Sequence, residues 1–271
     1  MKNQYNAAFT LIELLIAISI SFIVLGTTIM YLVFYQKNNH DLHQQQVNAN
    51  ILTISNYVFN NELSSAAYTF CANTNNIINN GVDDTDILTS NNAIQIFHAN
   101  ANNVPNFVSK QHDSESDIIV WRKAGSLLSH LNQNVNIGDN TLSVNKIINY
   151  NENNNILLSD CQNSELLKVS QVKNHTNDIV LITTKALKNN YDQQHSMIAK
   201  WQFAAFYIAD NNKDGSLYPK SLYYDRDNSK AQEVVNGIKK LTASKQKHKL
   251  IIHLTLYNNQ TIPIIINLWN V

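Results

Sequence analysis

The stretch "AAFTLIELLIAISI", residues 7–20, places one carboxylate, Glu13, inside an otherwise apolar run. No charged side chain follows from Leu14 to Phe34. Drawn as a helix, residues 9–35 span roughly 40 Å at about 1.5 Å per residue, enough to cross a bilayer. A cleavable secretory signal has an apolar region of only about 7 to 15 residues, ended by a small-residue cleavage site. The run is too long for that and carries Glu13. A plain signal anchor is the other reading, and its orientation is not set by charge, because Lys2 precedes the span while Lys37 and His40 follow it. Either way, a lone carboxylate at membrane depth is costly and persists with a partner or by snorkelling to the interface.

Outward from this segment, the chain has 271 residues, 44% of them hydrophobic, which is enough to bury a substantial core. Lys+Arg and Asp+Glu both number 20 and the pI is near 7.1, so no whole-molecule field attracts nucleic acid or anionic lipid. Glycine (6) and proline (3) are scarce. Asparagine fills about forty positions, far above average usage, in clusters such as 73–80 and 151–155 that suit polar loops.

Past Tyr35 the pattern turns amphipathic. Val47, Ile51, Ile54 and Val58 follow helical spacing, and Leu63, Ala66, Ala67 and Phe70 extend the stripe. Neither Gly nor Pro interrupts residues 27–71, so the reading is one helix from about Phe9 to about Phe70, with a bend near residues 37–40 as the alternative. After Cys71, β-prone runs alternate with Asn, Asp, Ser and Gly turns: "DILTS" from Asp86, "AIQIFHA" from Ala93, "DIIVWR" from Asp117, "LLKVSQV" from Leu166, "DIVLITT" from Asp178, "AKWQFAAFYIAD" from Ala199 and "SLYYD" from Ser221. "KLIIHLTLY" and "TIPIIINLW", joined by "NNQ", read as a hairpin whose second strand must be an edge or bulged strand because of Pro263. The fold class expected is α+β, a long N-terminal helix packed on a β-rich head.

Residues 8–20, "AFTLIELLIAISI", resemble the type IV prepilin signature. The resemblance implies a leader of residues 1–8, cleavage by a prepilin peptidase between Ala8 and Phe9, methylation of the new N-terminal Phe9, and an assembly role for Glu13. Ala8 stands where the family usually has Gly, the leader holds a single Lys, and Met30 replaces a common helix-kinking Pro. In that setting the freed amine of Phe9, one helical turn away, or that of a neighbouring subunit, would partner Glu13. Residues 9–35 become the membrane and filament-core half of the helix, 36–70 its amphipathic half, and 71–271 the periplasmic or extracellular head. "FNNELSSAAYTFC", "DDTDILTS", "SDCQNSELLKVS" and "FYIADNNKDGSLYPKSLYYD" are similar to blocks of PilW-family minor pilins, and the minor pseudopilin J of type II secretion shares the same plan. The implied function is a minor pilin that helps to prime pilus assembly. Its partners would be other minor pilins, the major pilin and the inner-membrane assembly platform. The implied location is the bacterial inner membrane with a periplasmic head, then the cell surface. A tip adhesin or DNA-binding pilin is the alternative of a different class.

Cys71 and Cys161, the only two cysteines, fall in the head, in a compartment where disulfides persist. A bridge would close a loop of about ninety residues, contributing roughly 4–5 kcal/mol in the chain-entropy model. The alternative is two free buried thiols. Neither lies in a metal-binding spacing. "DNNKDG", residues 210–215, has the first half of a calcium loop in Asp210, Asn212 and Asp214, but Ser221 stands where the bidentate Glu belongs; Asp225 and Asp227 follow nearby. A polar hairpin turn is the preferred reading, and no metal or other cofactor is expected. "KKLTASKQKHK", residues 239–249, gathers Lys239, Lys240, Lys245, Lys247 and Lys249; it reads as a solvated loop, and nucleic-acid binding is disfavoured because no aromatic residue is interleaved for stacking. No GxSxG, HExxH or phosphate-binding glycine loop appears, and the nine histidines are scattered, so an enzyme is not expected.

Overall fold

The structure is a computed structural model that describes residues 11–66, 69–70, 77–82, 94–101, 104, 108, 112–211, 218–226 and 230–268. The chain divides after Asn50 into two compact units, 1–50 and 51–271. One helix, α1 (Leu11–Leu63), runs without a break through residues 37–40, so the bent alternative is not what forms. It stops short of the expected Phe70. Its end is a tightened turn in which the Ala66 amide donates to the Leu63 carbonyl and the Ser65 hydroxyl to the Glu62 carbonyl.

Within the apolar span the few polar side chains satisfy themselves. The hydroxyls of Ser19, Ser21, Thr27 and Thr28 donate to the carbonyls of Leu15, Ala17, Val24 and Val24 at 2.7–2.9 Å. Such back-bonding lets a hydroxyl sit in hydrocarbon without an orphan donor.

In the second unit the helix buries Ile51, Ser55, Phe59 and Leu63, a strict i, i+4 row. The row differs from the expected Val47, Ile51, Ile54, Val58 stripe: Ile54 is 42% exposed and Val58 only half-buried. Phe59 meets the ring of Phe206 edge-on at 4.6 Å, and Phe206 in turn stacks on Trp121 at 4.7 Å, with Tyr224 beside both.

Among the described residues the head has fourteen strands: β1 (Ile77–Asn80), β2 (Ile94–Phe97), β3 (Ile118–Ala124), β4 (Ser129–His130), β5 (Thr141–Asn145), β6 (Asn155–Ser159), β7 (Ser164–Asn174), β8 (Asp178–Thr183), β9 (Met197–Asp210), β10 (Lys220–Arg226), β11 (Gln232–Asn236), β12 (Ile238–Gln246), β13 (Lys249–Leu256) and β14 (Thr261–Asn267). With α1 this is the expected α+β, pilin-like layout. Strand β9 organises it. On one edge it pairs with β3 (Trp121 with Ala204) and then β4; on the other with β10 (Tyr224 with Phe206) and then β6 (Leu157 with Ala199). Its residues 204–209 are buried without alternation, as befits a central strand covered on both faces.

From β6 the sheet continues through β7 and β8 to β5, while β1 lies parallel to β7, β2 flanks β3 and β11 flanks β10. Strands β6 and β7 frame a core of Leu142, Val144, Ile156, Leu158, Leu167, Leu181 and Tyr191. Strands β12, β13 and β14 form a separate three-stranded sheet. Pro263 lies in its edge strand β14, opposite His253, where a missing amide donor costs nothing to the ladder. Residues 239–249, expected as a loop, instead form β12, a two-residue turn and the start of β13. Leu241 and Ala243 point inward with the half-buried Lys245 next in the same row, Lys240 takes the opposite face with Thr242 and Ser244, and Lys239 sits at a bulge, so the lysine-rich composition hid a period of two.

Candidate functional site

The N-terminal segment is the first candidate. Glu13 lies in the first described turn of α1. Around and beyond it the apolar side chains lie open, among them Leu11 at 75%, Phe22 at 71% and Met30 at 77% exposure. An 18-residue window of α1 reaches a mean hydropathy of 2.2 with none of it buried, so the helix is long and apolar enough to cross a membrane. A contiguous apolar surface of this size is not stable against water and calls for lipid or other helices. Ala8 and Phe9 lie outside the described residues.

The remaining sequence candidates do not converge. Cys161 sits exposed in the β6–β7 turn at φ +69, its amide donating to the Ser159 hydroxyl. There is no free cysteine among the described residues, and Cys71 lies outside them. Asp210 ends β9 opposite Lys220, at the mouth of the β9–β10 hairpin. Asn212, Asp214 and Asp227 lie outside the described residues. Asp225 does not reach that hairpin loop: it pairs with Ala205, five residues down the strand, about 16 Å away at the strand rise. Among the described residues no three His, Cys, Asp or Glu side chains group as a metal site. The five lysines split. Lys239 and Lys240 open β12, where Lys239 donates to the Asn259 carbonyl oxygen of its side chain at 3.0 Å, whereas Lys245, Lys247 and Lys249 flank the turn at the other end of the strand.

Two features escaped sequence reasoning. The first is a polar cluster at the end of α1: Lys123 Nζ donates to Glu62 Oε2 at 3.2 Å and to Ser65 Oγ at 2.9 Å, and the Tyr224 hydroxyl donates to the same Glu62 oxygen at 3.1 Å. Glu62 was legible as part of "FNNELSSAAYTFC", but its partners come from β3 and β10 and have no local signal. The second is a cavity of about 410 Å³ beside this cluster, lined among others by Lys123, Lys200 and Arg226.

Residues 3–29 match the family model of the prokaryotic N-terminal methylation motif. No curated protein matches the chain. The motif, continued by the apolar stretch of α1, supports a type IV prepilin-like N terminus and fits a pilin- or pseudopilin-type subunit anchored in the inner membrane, with a structural rather than a catalytic role.

Proposed function

We propose that the protein is a minor pilin of a type IV pilus, of the PilW kind, that helps to prime filament assembly. The observation that carries this is the methylation motif at residues 3–29 running directly into an exposed apolar helix. Prepilin peptidase cuts between Ala8 and Phe9 and the new amine of Phe9 is methylated. The subunit waits in the inner membrane with its head, residues 71–271, in the periplasm. Residues 9–35 then leave lipid for the filament core, where Glu13 meets a terminal amine, its own or that of another pilin. That exchange replaces lipid contacts by helix contacts of similar apolarity, so the charge pair supplies direction and register. The head makes lateral contacts with the other minor pilins and the major pilin, stabilised by a Cys71–Cys161 bridge.

Mass spectrometry of the membrane-extracted protein is the direct test. The expected product begins at a methylated Phe9, and an intact Met1 in cells with active peptidase would overturn the reading. Deletion of the gene is expected to abolish or thin the pili. Normal pili with blocked protein export would instead make the chain a minor pseudopilin of type II secretion.

A further inference from the structure

Three neighbouring strands change character at the same level, just past the end of α1. On the face that receives Phe59, alternate residues of β3 run Ile119, Trp121, Lys123; those of β9 run Phe206, Ala204, Gln202, Lys200; those of β10 end Tyr224, Arg226. Register sets Lys123 beside Gln202, and sets Ala204 between Trp121 and Arg226. The aromatic part of this face lies beneath the helix. The cationic part lies where the helix has ended, as the floor of the 410 Å³ cavity.

We propose that this cavity binds a small oxyanion-bearing ligand, a phosphate or a carboxylate compound, held by Lys200 and Arg226 with Lys123 behind them. Lys123 alone is accounted for by the fold, since Glu62 pairs with it at 3.2 Å. Among the described residues Lys200 and Arg226 enter no ion pair, and the described lining contains no carboxylate. Two cations with no carboxylate partner among the described residues thus face one concavity with Gln202, Ser126 and Asn149 as neutral donors around them. An oxyanion relieves their repulsion and accepts from all of these groups, and the guanidinium fork of Arg226 suits a planar or tetrahedral oxyanion. The volume lies within the range of small-ligand pockets, large enough for a sugar phosphate or an acidic sugar.

The test uses the full-length protein in non-ionic detergent micelles, titrated separately with inorganic phosphate and with citrate while sodium chloride holds ionic strength constant, and followed by calorimetry. Saturable binding is expected with a Kd of about 1 mM or below for at least one probe. The arm that saturates identifies phosphate or carboxylate as the preferred group. Lys200→Gln with Arg226→Gln should weaken binding about tenfold or more, a loss expected of charge-assisted contacts. Lys200→Arg with Arg226→Lys should retain most of it, and Lys239→Gln with Lys240→Gln, on another sheet, should leave it unchanged. Thermal unfolding of each variant verifies its fold; should the double variant unfold, Arg226→Gln alone, at an exposed position, is read in its place. Absence of saturation with both probes, or equal binding by the Gln variants, would overturn the proposal.

Discussion

Glu165, at the second position of β7, is fully buried and ionisable, yet no cation pairs with it among the described residues. Its oxygens accept instead from Asn80 Nδ2 at 2.8 Å, the Lys188 amide at 3.0 Å and Asn189 Nδ2 at 2.9 Å, tying β1 and residues 188–189 to β7. Burial first, and then this carboxylate, push the neighbouring Tyr191 phenol well above its ordinary value. Glu165→Ala would strand the buried Asn80 amide and loosen two part-buried contacts, so it is expected to cost about 2–3 kcal/mol in denaturant unfolding, with Glu165→Gln costing less. Asp225 is the opposite case. It is 4% exposed, its Oδ1 has no hydrogen-bond partner among the described residues, and burial raises its pKa, the amide of Arg226 only partly opposing this. A raised carboxyl pKa in the folded state means that ionisation works against folding at neutral pH, a cost that disappears as pH falls through the folded and then the unfolded pKa. Asp225→Asn should therefore raise the unfolding temperature at pH 7, and the gain should shrink towards pH 4. The burial of neither residue was legible in sequence, because an acid within "SELL" or "YYDR" carries no local sign of being enclosed.

At the scale of elements, α1 shows how a correct period still allows a wrong phase. Apolarity favoured Ile54 and Val58, but the face that packs holds Ser55 and Phe59. Ser55 is fully buried and its hydroxyl has no hydrogen-bond partner among the described residues. A polar residue at the centre of the packed row is what misled the hydrophobic pattern. Gly237, at φ +91, gives one reason for small groups here: a Cβ on it would lie 3.2 Å from Ile51 Cδ1 and equally near the Tyr218 ring. Ser55→Ala removes an orphan hydroxyl and is expected to be neutral or to stabilise by about 1 kcal/mol, whereas Phe59→Ala opens a cavity against Phe206 and should cost about 3–5 kcal/mol. Chemical denaturation of the two variants side by side checks both signs. Strands were legible where β-branched or aromatic residues were dense, as in β3, β8, β9 and β13. Short β1, with half its residues asparagine, and lysine-rich β12 were not, since their pairing partners, not their composition, make them strands.

For the whole molecule, the motif and the long apolar run made the helix and the membrane reading visible from sequence, and the β-rich head followed from turn spacing. The arrangement of that head did not, because it rests on contacts far apart in the chain. Asp117 is an example. Its carboxylate accepts from the amides of Ala99 at 3.0 Å and Ala243 at 2.8 Å, and its own amide donates to the Leu241 carbonyl, which joins the three-stranded sheet to β3. Asp117→Ala should speed amide exchange in β12 to β14 well before it affects β6 and β7, a pattern that hydrogen–deuterium exchange would resolve.

Strand β9 carries a further consequence, in time. Its two edges wait for strands on either side of it in the chain, Ile119 for Phe206 and Leu222 for Ile208, and the sheet keyed by Asp117 comes later still. The apolar strand β3 is therefore made long before its partner β9 arrives. Non-local pairing of this kind folds slowly, and the waiting strands invite wrong partners. On the proposed pilin route the head is expected to depend on folding helpers while it matures, and the anchored helix, by holding each newcomer to the membrane, keeps unfinished heads diluted across a surface until they close.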